Sequence, residues 1–199
     1  MPIDLPELLL ADAAAWRAWL EENHHVHPGV FLVMHKKGGA VTALTQKAAL
    51  DEALCFGWID GLIRRRDEGS YLTRFTPRAA RSSWSLANVA NIERLQEQGL
   101  MRPAGLAAVE AAKADGRWEL AYAGQATAEL PPDLAAAIAV VPSAAQMLEV
   151  LTSQNRYALI FRLSQLRPGA ARDRRIEQFV QMLARHEAPY PQRRQPTRP

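Results

Sequence analysis

Hydrophobic and polar positions follow a helical period early in the chain and a strand period after it. Asp12 precedes a segment, 16–20, whose large apolar residues share one helical face, so we predict a helix capped by Asp12. The segment 30–34 is continuously apolar and predicts a buried strand, with a turn at Gly38-Gly39. Residues 1–11 carry neither period and are predicted to form an extended lead-in.

A second helix and a hairpin follow. Thr45 is a suitable N-cap for a helix that runs to about Phe56, and Gly57 is suited to stop it. Residues 58–66 and 71–76 alternate with a period of two around a short polar loop, which predicts two antiparallel strands. Alternation also places neighbouring residues of each strand on opposite faces of the sheet.

The rest of the chain has a helical period, interrupted by prolines and glycines. A helix capped by Ser83 or Ser85 is predicted to end near Gln98, and five more helices follow it. This layout predicts the α+β class: a small antiparallel sheet in the N-terminal half packed with helices, then an all-helical C-terminal half. The predicted divisions are an α+β domain, a C-terminal helical region and a disordered tail, at 1–120, 121–188 and 189–199.

The composition of the chain argues against a membrane-spanning, secreted or disulfide-bonded protein. A chain of 199 residues with 48% hydrophobic residues is typical of a globular protein, and it has no apolar run of the roughly 18–20 residues that span a bilayer. The first residues lack the basic start of a secretory signal. A single cysteine, Cys55, excludes an internal disulfide and is predicted to be a buried apolar residue. We therefore expect a cytoplasmic protein without membrane insertion.

An aspartate in the first hairpin strand is the first candidate for chemistry. Alternation places Asp60 and Trp58 on one face of the sheet, and a buried carboxylate must be paired or neutralised. Asp60 could form an internal ion pair or cap a turn. It could also orient arginines around a bound anion, or act as a catalytic acid or base.

Arginines are concentrated after this aspartate. The chain has 20 Arg and 4 Lys, a bias that base composition can explain, but six of the arginines lie between residues 64 and 81. Some of them lead into a serine-rich helix start, which attracts anions through unpaired N–H groups and the helix dipole. Trp84 and Asn88 are predicted to lie one turn apart on that helix, with Trp84 either in the core or stacked on a ligand. The predicted ligand-binding set is Trp58, Asp60, Arg74, Arg78, Ser82, Trp84 and Asn88.

No cofactor and no metal are predicted. The histidines of the loop 24–27 lack the spacing and the further ligands of a metal site, so we expect them to be solvated. The sequence contains neither a P-loop nor a GxGxxG motif. The catalytic residues, if any, are not identified by a motif.

Several blocks of the sequence resemble the YdeI/OmpD-associated family of bacterial proteins, also called bacteriocin-protection proteins. They are CFGWIDG at 55–61, RFTPR at 74–78, SSWSLAN at 82–88, GLMRPAGLAAVEAAKADGRW at 99–118 and RDRRIEQFV at 172–180. The resemblance implies a link to porin association and to tolerance of bacteriocins or cationic antimicrobial peptides, with no established reaction, substrate or cofactor. Ala79 and Ala80 depart from the family pattern, in which these positions are often polar.

Three functions are compatible with these features. The leading one is a cytosolic binding or stress-protection module, whose arginine-lined cleft holds a small anionic ligand or an anionic feature of a protein partner. The second is an enzyme of unknown reaction that uses Asp60 or His35 for proton transfer in the same cleft. The third is a nucleic-acid-binding protein, which ranks lower because acidic residues hold the net charge to +3. Oligomeric state stays open.

Overall fold

The computed structural model describes residues 5–37 and 39–197. The first residue of the predicted Gly38-Gly39 turn, the start of the lead-in and the last two residues of the tail lie outside these ranges. The predicted α+β class is confirmed, with a sheet in the N-terminal half and mainly helices after it. No helix among the described residues has both the length and the apolar content needed to cross a bilayer.

Contacts divide the chain into two compact units. The first comprises Met1–Ser82 and Asn88–Gly116, and the second comprises Ser83–Ala87 and Arg117–Pro199. The second unit thus includes a short segment, Ser83–Ala87, from within the predicted α+β domain at 1–120.

The described chain contains four strands and eight helices. The strands are β1 (Glu7–Leu8), β2 (Val30–His35), β3 (Trp58–Arg65) and β4 (Ser70–Pro77). The helices are α1 (Ala13–Asn23), α2 (Gln46–Cys55), α3 (Leu86–Glu97), α4 (Pro103–Ala114), α5 (Pro132–Ala139), α6 (Pro142–Val150), α7 (Ser153–Ser164) and α8 (Ala170–Ala184).

Local sequence signals set the helix ends. The side chain of Asp12 accepts a hydrogen bond from the amide of Ala15, and that of Thr45 accepts one from Ala48, so both predicted N-caps are confirmed. Gly57 follows α2 with a φ of 73°, a left-handed conformation that glycine adopts without steric cost.

The sheet has the strand order β1-β2-β4-β3. The three long strands are antiparallel, as the hairpin pattern predicts, whereas β1 is parallel to β2. The lead-in therefore contains a short strand that the sequence analysis does not predict, because two residues are too few to show an alternation. A bulge between Asp60 and Ile63 shifts the register of β3 against β4.

The core of the first unit is built around Trp16 of α1. Its ring lies 5.7 Å from that of Phe75 on β4, and its indole N–H donates to the carbonyl of Ala49 on α2 at 3.1 Å. Trp16 and Phe75 are both fully buried. One face of the sheet is therefore covered by helices, and the bonded indole avoids an unsatisfied buried donor.

The second unit has its own apolar core, formed by α5, α6, α7 and α8. A buried asparagine of α7, Asn155, also holds the segment after α8. Its amide oxygen accepts from the amide of Tyr190 at 2.8 Å, and its amide nitrogen donates to the carbonyl of Tyr190 at 3.1 Å. Gln192 is bound to Asn155 as well. The tail that the sequence predicts to be disordered from residue 189 is thus anchored at its start, because one buried side chain satisfies its backbone.

Gly105 provides a test of the packing between α4 and α2. A Cβ at this position would lie 2.2 Å from the carbonyl oxygen of Cys55, which is a severe backbone clash. Glycine-to-alanine changes usually stabilise a helix interior. We expect Gly105→Ala instead to lower the free energy of unfolding by about 2–3 kcal/mol in urea denaturation. Gly124→Ala is the control, because its Cβ would meet nothing within 4 Å; equal stability of the two variants would contradict the packing.

Candidate functional site

The pairing of the strands places the predicted site residues on both faces of the sheet. Asp60 pairs with Phe75, which packs under the helices, so Asp60 lies on the helix-covered face. Arg74 is the neighbour of Phe75 and pairs with Phe31 on β2, so it lies on the other face. Asp60 and Arg74 therefore do not face each other.

Asp60 belongs to a short polar network on the helix-covered face. The amide nitrogen of Gln46 donates to its carboxylate at 3.3 Å, while the amide oxygen of Gln46 accepts from the hydroxyl of the buried Thr73 at 2.9 Å. Burial raises the pKa of Asp60, and the hydrogen bond from Gln46 and the charge of Arg78 partly oppose this rise. The charge of Arg78 therefore acts on Asp60, while a shared role of these two residues at a bound anion stays a prediction.

Both predicted indoles lie in the interior. Trp58 and Trp84 are each 1% exposed. The indole N–H of Trp58 donates to the carbonyl of His24 at 3.1 Å, and the ring of Trp84 lies 4.9 Å from that of Trp118. Neither ring presents a face to solvent, so the core alternative for Trp84 describes this structure. A ligand-binding role for these two residues stays a prediction.

The block from Ser82 to Asn88 is not one helix. Because α3 begins at Leu86, Trp84 precedes it, and the predicted helical pairing of Trp84 with Asn88 is wrong. The carbonyl of Trp84 instead accepts from the amide of Tyr122 at 2.9 Å, and Ser85 forms an isolated parallel bridge with Tyr122. Ser82 and Asn88 belong to the first unit and Trp84 to the second.

The second face of the sheet carries an arrangement that the sequence analysis only partly anticipated. Phe31, Val33 and Leu72 form a small apolar cluster there. The guanidinium of Arg64 lies 4.6 Å from the ring centroid of Phe31, and Arg74 pairs with Phe31 from the adjacent strand. We call these five residues the arginine face.

Gly61 allows Arg74 to lie flat against the sheet. A Cβ on Gly61 would be 3.2 Å from a terminal nitrogen of Arg74, so the guanidinium occupies the space that another side chain would fill. The alternation of Arg64 and Arg65 in the sequence already splits them between faces. That Arg64 shares a face with Arg74 depends on the bulge at 60–63 and could not be predicted.

The arginines of this region differ in their partners. Arg66 binds the carboxylates of Glu7 at 3.1 Å and Asp67 at 2.9 Å. Arg64 and Arg74, both exposed, form no ion pair with any residue that the structure describes. The positive charge available to a ligand on this face therefore comes from Arg64 and Arg74.

His35, the second predicted proton-transfer candidate, lies at the far end of the sheet. It pairs with Ser70, whereas Val30, at the other end of β2, pairs with Phe75 in the row of Asp60. Five residues of strand separate the two rows by about 16 Å. Asp60 and His35 therefore cannot serve the same cleft.

No arrangement of the described residues suggests a metal ligand set, since no group of three or more His, Cys, Asp or Glu side chains is found within 5–37 and 39–197. Cys55 is 1% exposed, and burial raises the pKa of its thiol. It is therefore a core residue, as predicted, and a poor nucleophile.

Comparison with known families gives matches for both parts of the chain. Residues 8–108, just over half of the chain, match the family model described as Domain of unknown function (DUF8412). The chain belongs to this family. Residues 127–186 match a second model, described as Bacteriocin-protection, YdeI or OmpD-Associated. No curated protein and no solved structure gives a match.

The predicted resemblance to the YdeI/OmpD-associated family is confirmed, over residues 127–186. That range includes the block at 172–180, which contributed to the resemblance. The blocks at 55–61, 74–78 and 82–88 lie instead in the range of the domain of unknown function. The candidate site on the sheet therefore lies outside the part that matches the bacteriocin-protection model.

The raised pKa of Asp60 has a measurable consequence for stability. The carboxyl group of Asp60 stays protonated to a higher pH in the folded protein than in the unfolded chain. Its contribution to stability therefore falls as the pH rises from its pKa in the unfolded chain to its pKa in the folded protein. We therefore expect the free energy of unfolding of Asp60→Asn to rise relative to that of the wild type as the pH increases from about 3 to about 7. Urea denaturation at several pH values in this range measures the difference.

Asp67→Asn is the control of opposite sign. A hydrogen bond from the Ser70 side chain lowers the pKa of Asp67, so its contribution is present at neutral pH and is lost on acidification. Asp67→Asn should therefore lose stability relative to the wild type over the same rise in pH. A carbon NMR titration in which the pKa of Asp60 is equal to or lower than that of Asp67 would contradict these opposite shifts.

Proposed function

We propose that this protein is a cytoplasmic binding module whose first unit holds a small anionic ligand on the arginine face. The observation that supports the proposal is the pair of exposed guanidiniums of Arg64 and Arg74, without a carboxylate partner among the described residues, beside the ring of Phe31. Arginine forks suit phosphate and carboxylate oxygens, which they bind with two parallel hydrogen bonds.

The apolar cluster under the two arginines favours binding in one orientation. Arg64 is held over Phe31 and Arg74 is held against Gly61, so both guanidiniums have limited freedom before a ligand arrives. Side chains that are already positioned lose less entropy on binding. Of the predicted ligand-binding set, only Arg74 lies on this face.

Asp60 and Arg78 support the enzyme alternative better than they support anion binding. A half-buried carboxyl group with a raised pKa is a candidate for proton transfer, and Arg78 lies within its electrostatic reach. The charge of Asp60 would repel an anion bound beside Arg78. We therefore assign the anion to the arginine face rather than to the neighbourhood of Asp60.

Substitution of the two arginines tests the first proposal. We expect Arg64→Ala and Arg74→Ala each to weaken the binding of pyrophosphate or a tricarboxylate by about tenfold in isothermal titration calorimetry, because each removes a charge-assisted contact. Arg65→Ala is the matched control, since Arg65 is also exposed but pairs with Tyr71 on the other face. Its affinity should equal that of the wild type.

Equal affinity in all four proteins would remove the proposal, as would the absence of binding to the wild type. The nucleic-acid alternative gives a different result. It requires oligonucleotides to bind more tightly than pyrophosphate, with an affinity that falls steeply as salt rises.

A second candidate function concerns the part that matches the bacteriocin-protection model. Between α5 and α8 lies a groove with a volume of about 480 Å³, whose apolar wall includes Val140, Ile176 and Val180. Val140 is 79% exposed, an unusual degree for a large apolar side chain. We propose that this groove binds a cationic amphipathic peptide.

Charge complementarity supports a cationic occupant. The acidic residues along the groove are Asp133, Asp173 and Glu177. Arg172 neutralises Asp133 through two contacts, at 2.6 and 3.0 Å. Asp173 and Glu177, one turn apart on α8, form no ion pair with a described residue. A peptide with basic residues beside an apolar face would pack against the apolar wall and pair with the acidic residues at the rim of the groove.

Charge reversal at the rim tests this second candidate. A basic amphipathic helical peptide of about 20 residues should bind the wild type, and Glu177→Lys should weaken it by about tenfold in fluorescence anisotropy. Glu93→Lys, an exposed position on α3 in the first unit, is the control for net charge. If an acidic peptide with the same apolar face binds as tightly, charge does not select the occupant.

A further inference from the structure

We infer that the second unit contains a separate binding pocket for a flat aromatic carboxylate. The pocket has a volume of about 220 Å³ and lies between α7 and the segment after α8. Its lining residues are Gln154, Tyr157, Ala158, Phe161, Arg162 and Tyr190.

Helical spacing explains why α7 provides one wall. Positions 157 and 158 each lie three or four residues from both 154 and 161, so these side chains share a face of the helix. Tyr190 closes the pocket from the segment after α8, and the reciprocal hydrogen bonds with Asn155 fix its backbone. Asn155 is 1% exposed and lies one residue beyond Gln154. The residue that anchors the tail thus also shapes the pocket.

The aromatic walls are held in place by their neighbours. The hydroxyl of Tyr157 donates to the carbonyl of Ala123 at 3.1 Å. The ring of Phe161 meets that of Tyr122 edge to face, with centroids 4.8 Å apart. Rings that are locked before binding offer a stacking surface at little cost in entropy.

The charge of the pocket determines the class of ligand. The guanidinium of Arg162 lies 5.7 Å from the ring centroid of Tyr190 and has no carboxylate partner among the described residues. No lining residue is acidic. Aromatic rings alone would suit a cation, but a guanidinium at the same place repels one and pairs with a carboxylate.

The volume of the pocket suits one ring with its acid group. A protein cavity of about 150 Å³ accepts benzene, so 220 Å³ leaves room for a ring and a carboxylate. The amide of Gln154, at the edge of the pocket, can bond a polar substituent. Benzoate is therefore a suitable probe.

Calorimetry and amide NMR with benzoate test the assignment. We expect benzoate to shift the resonances of α7 and Tyr190, and Arg162→Gln to weaken its binding by about tenfold or more. Arg175→Gln is the matched control, because Arg175 also lies over an aromatic ring, Phe179 at 5.9 Å, but does not line the pocket. Its affinity for benzoate should be unchanged.

Two further ligands separate the contributions of charge and ring. Benzyl alcohol, which lacks the charge, and cyclohexanecarboxylate, which lacks the flat ring, should each bind more weakly than benzoate. Equal binding of benzoate by wild type and Arg162→Gln, or no binding at all, overturns the inference.

Discussion

The burial of Phe75 against Trp16 is the constraint on which the candidate site depends. It decides which face of the sheet the helices cover, and because strand residues alternate, it decides the face of every neighbour. Arg74 is thereby excluded from the interior, and Asp60, which pairs with Phe75, is drawn into it. One aromatic contact thus separates a half-buried acid from an exposed base, although both come from the same hairpin.

The sequence predicts those features of the fold that depend on neighbouring residues, but not those that depend on residues far apart in the chain. Caps such as Asp12 and Thr45 and the stop at Gly57 were predictable because each acts within one helical turn. The bulge after Asp60 and the bridge between Ser85 and Tyr122 join residues whose proximity no periodicity encodes. For the same reason Arg74 was recognised as a candidate while its partner on the sheet, Arg64, was not singled out from its neighbours. The sequence suggests a ligand-binding role for Trp58 and Trp84 because both are large aromatic residues. Such side chains also contribute most to burial, and both of these are buried.

Part of the excess of arginine has a structural explanation. Several arginines join distant parts of a unit through carboxylates. Those pairs are Arg17 with Glu52, Arg94 with Asp51, Arg102 with Glu21 and Arg172 with Asp133. The planar guanidinium suits a bidentate contact, such as that of Arg172 with Asp133, better than an ammonium does, which favours arginine over lysine there. Arginine content by itself therefore says little about ligands. In the described part of the chain, Arg64, Arg74 and Arg162 contact a ring or the backbone instead of a carboxylate, as Arg175 also does over Phe179.

The two family matches cover different candidate sites. The first contains the exposed cations of the sheet, while the second contains both an apolar groove with acidic residues at its rim and a pocket lined by Arg162. One small ion does not suit both the arginine face and the groove, because the first favours an anion and the second a cation. If the chain binds one partner through both units, that partner must carry both signs of charge in separate places, as a polypeptide does and a small metabolite does not. The opposite charges of the arginine face and the groove are therefore compatible with one such polypeptide or with two different ligands.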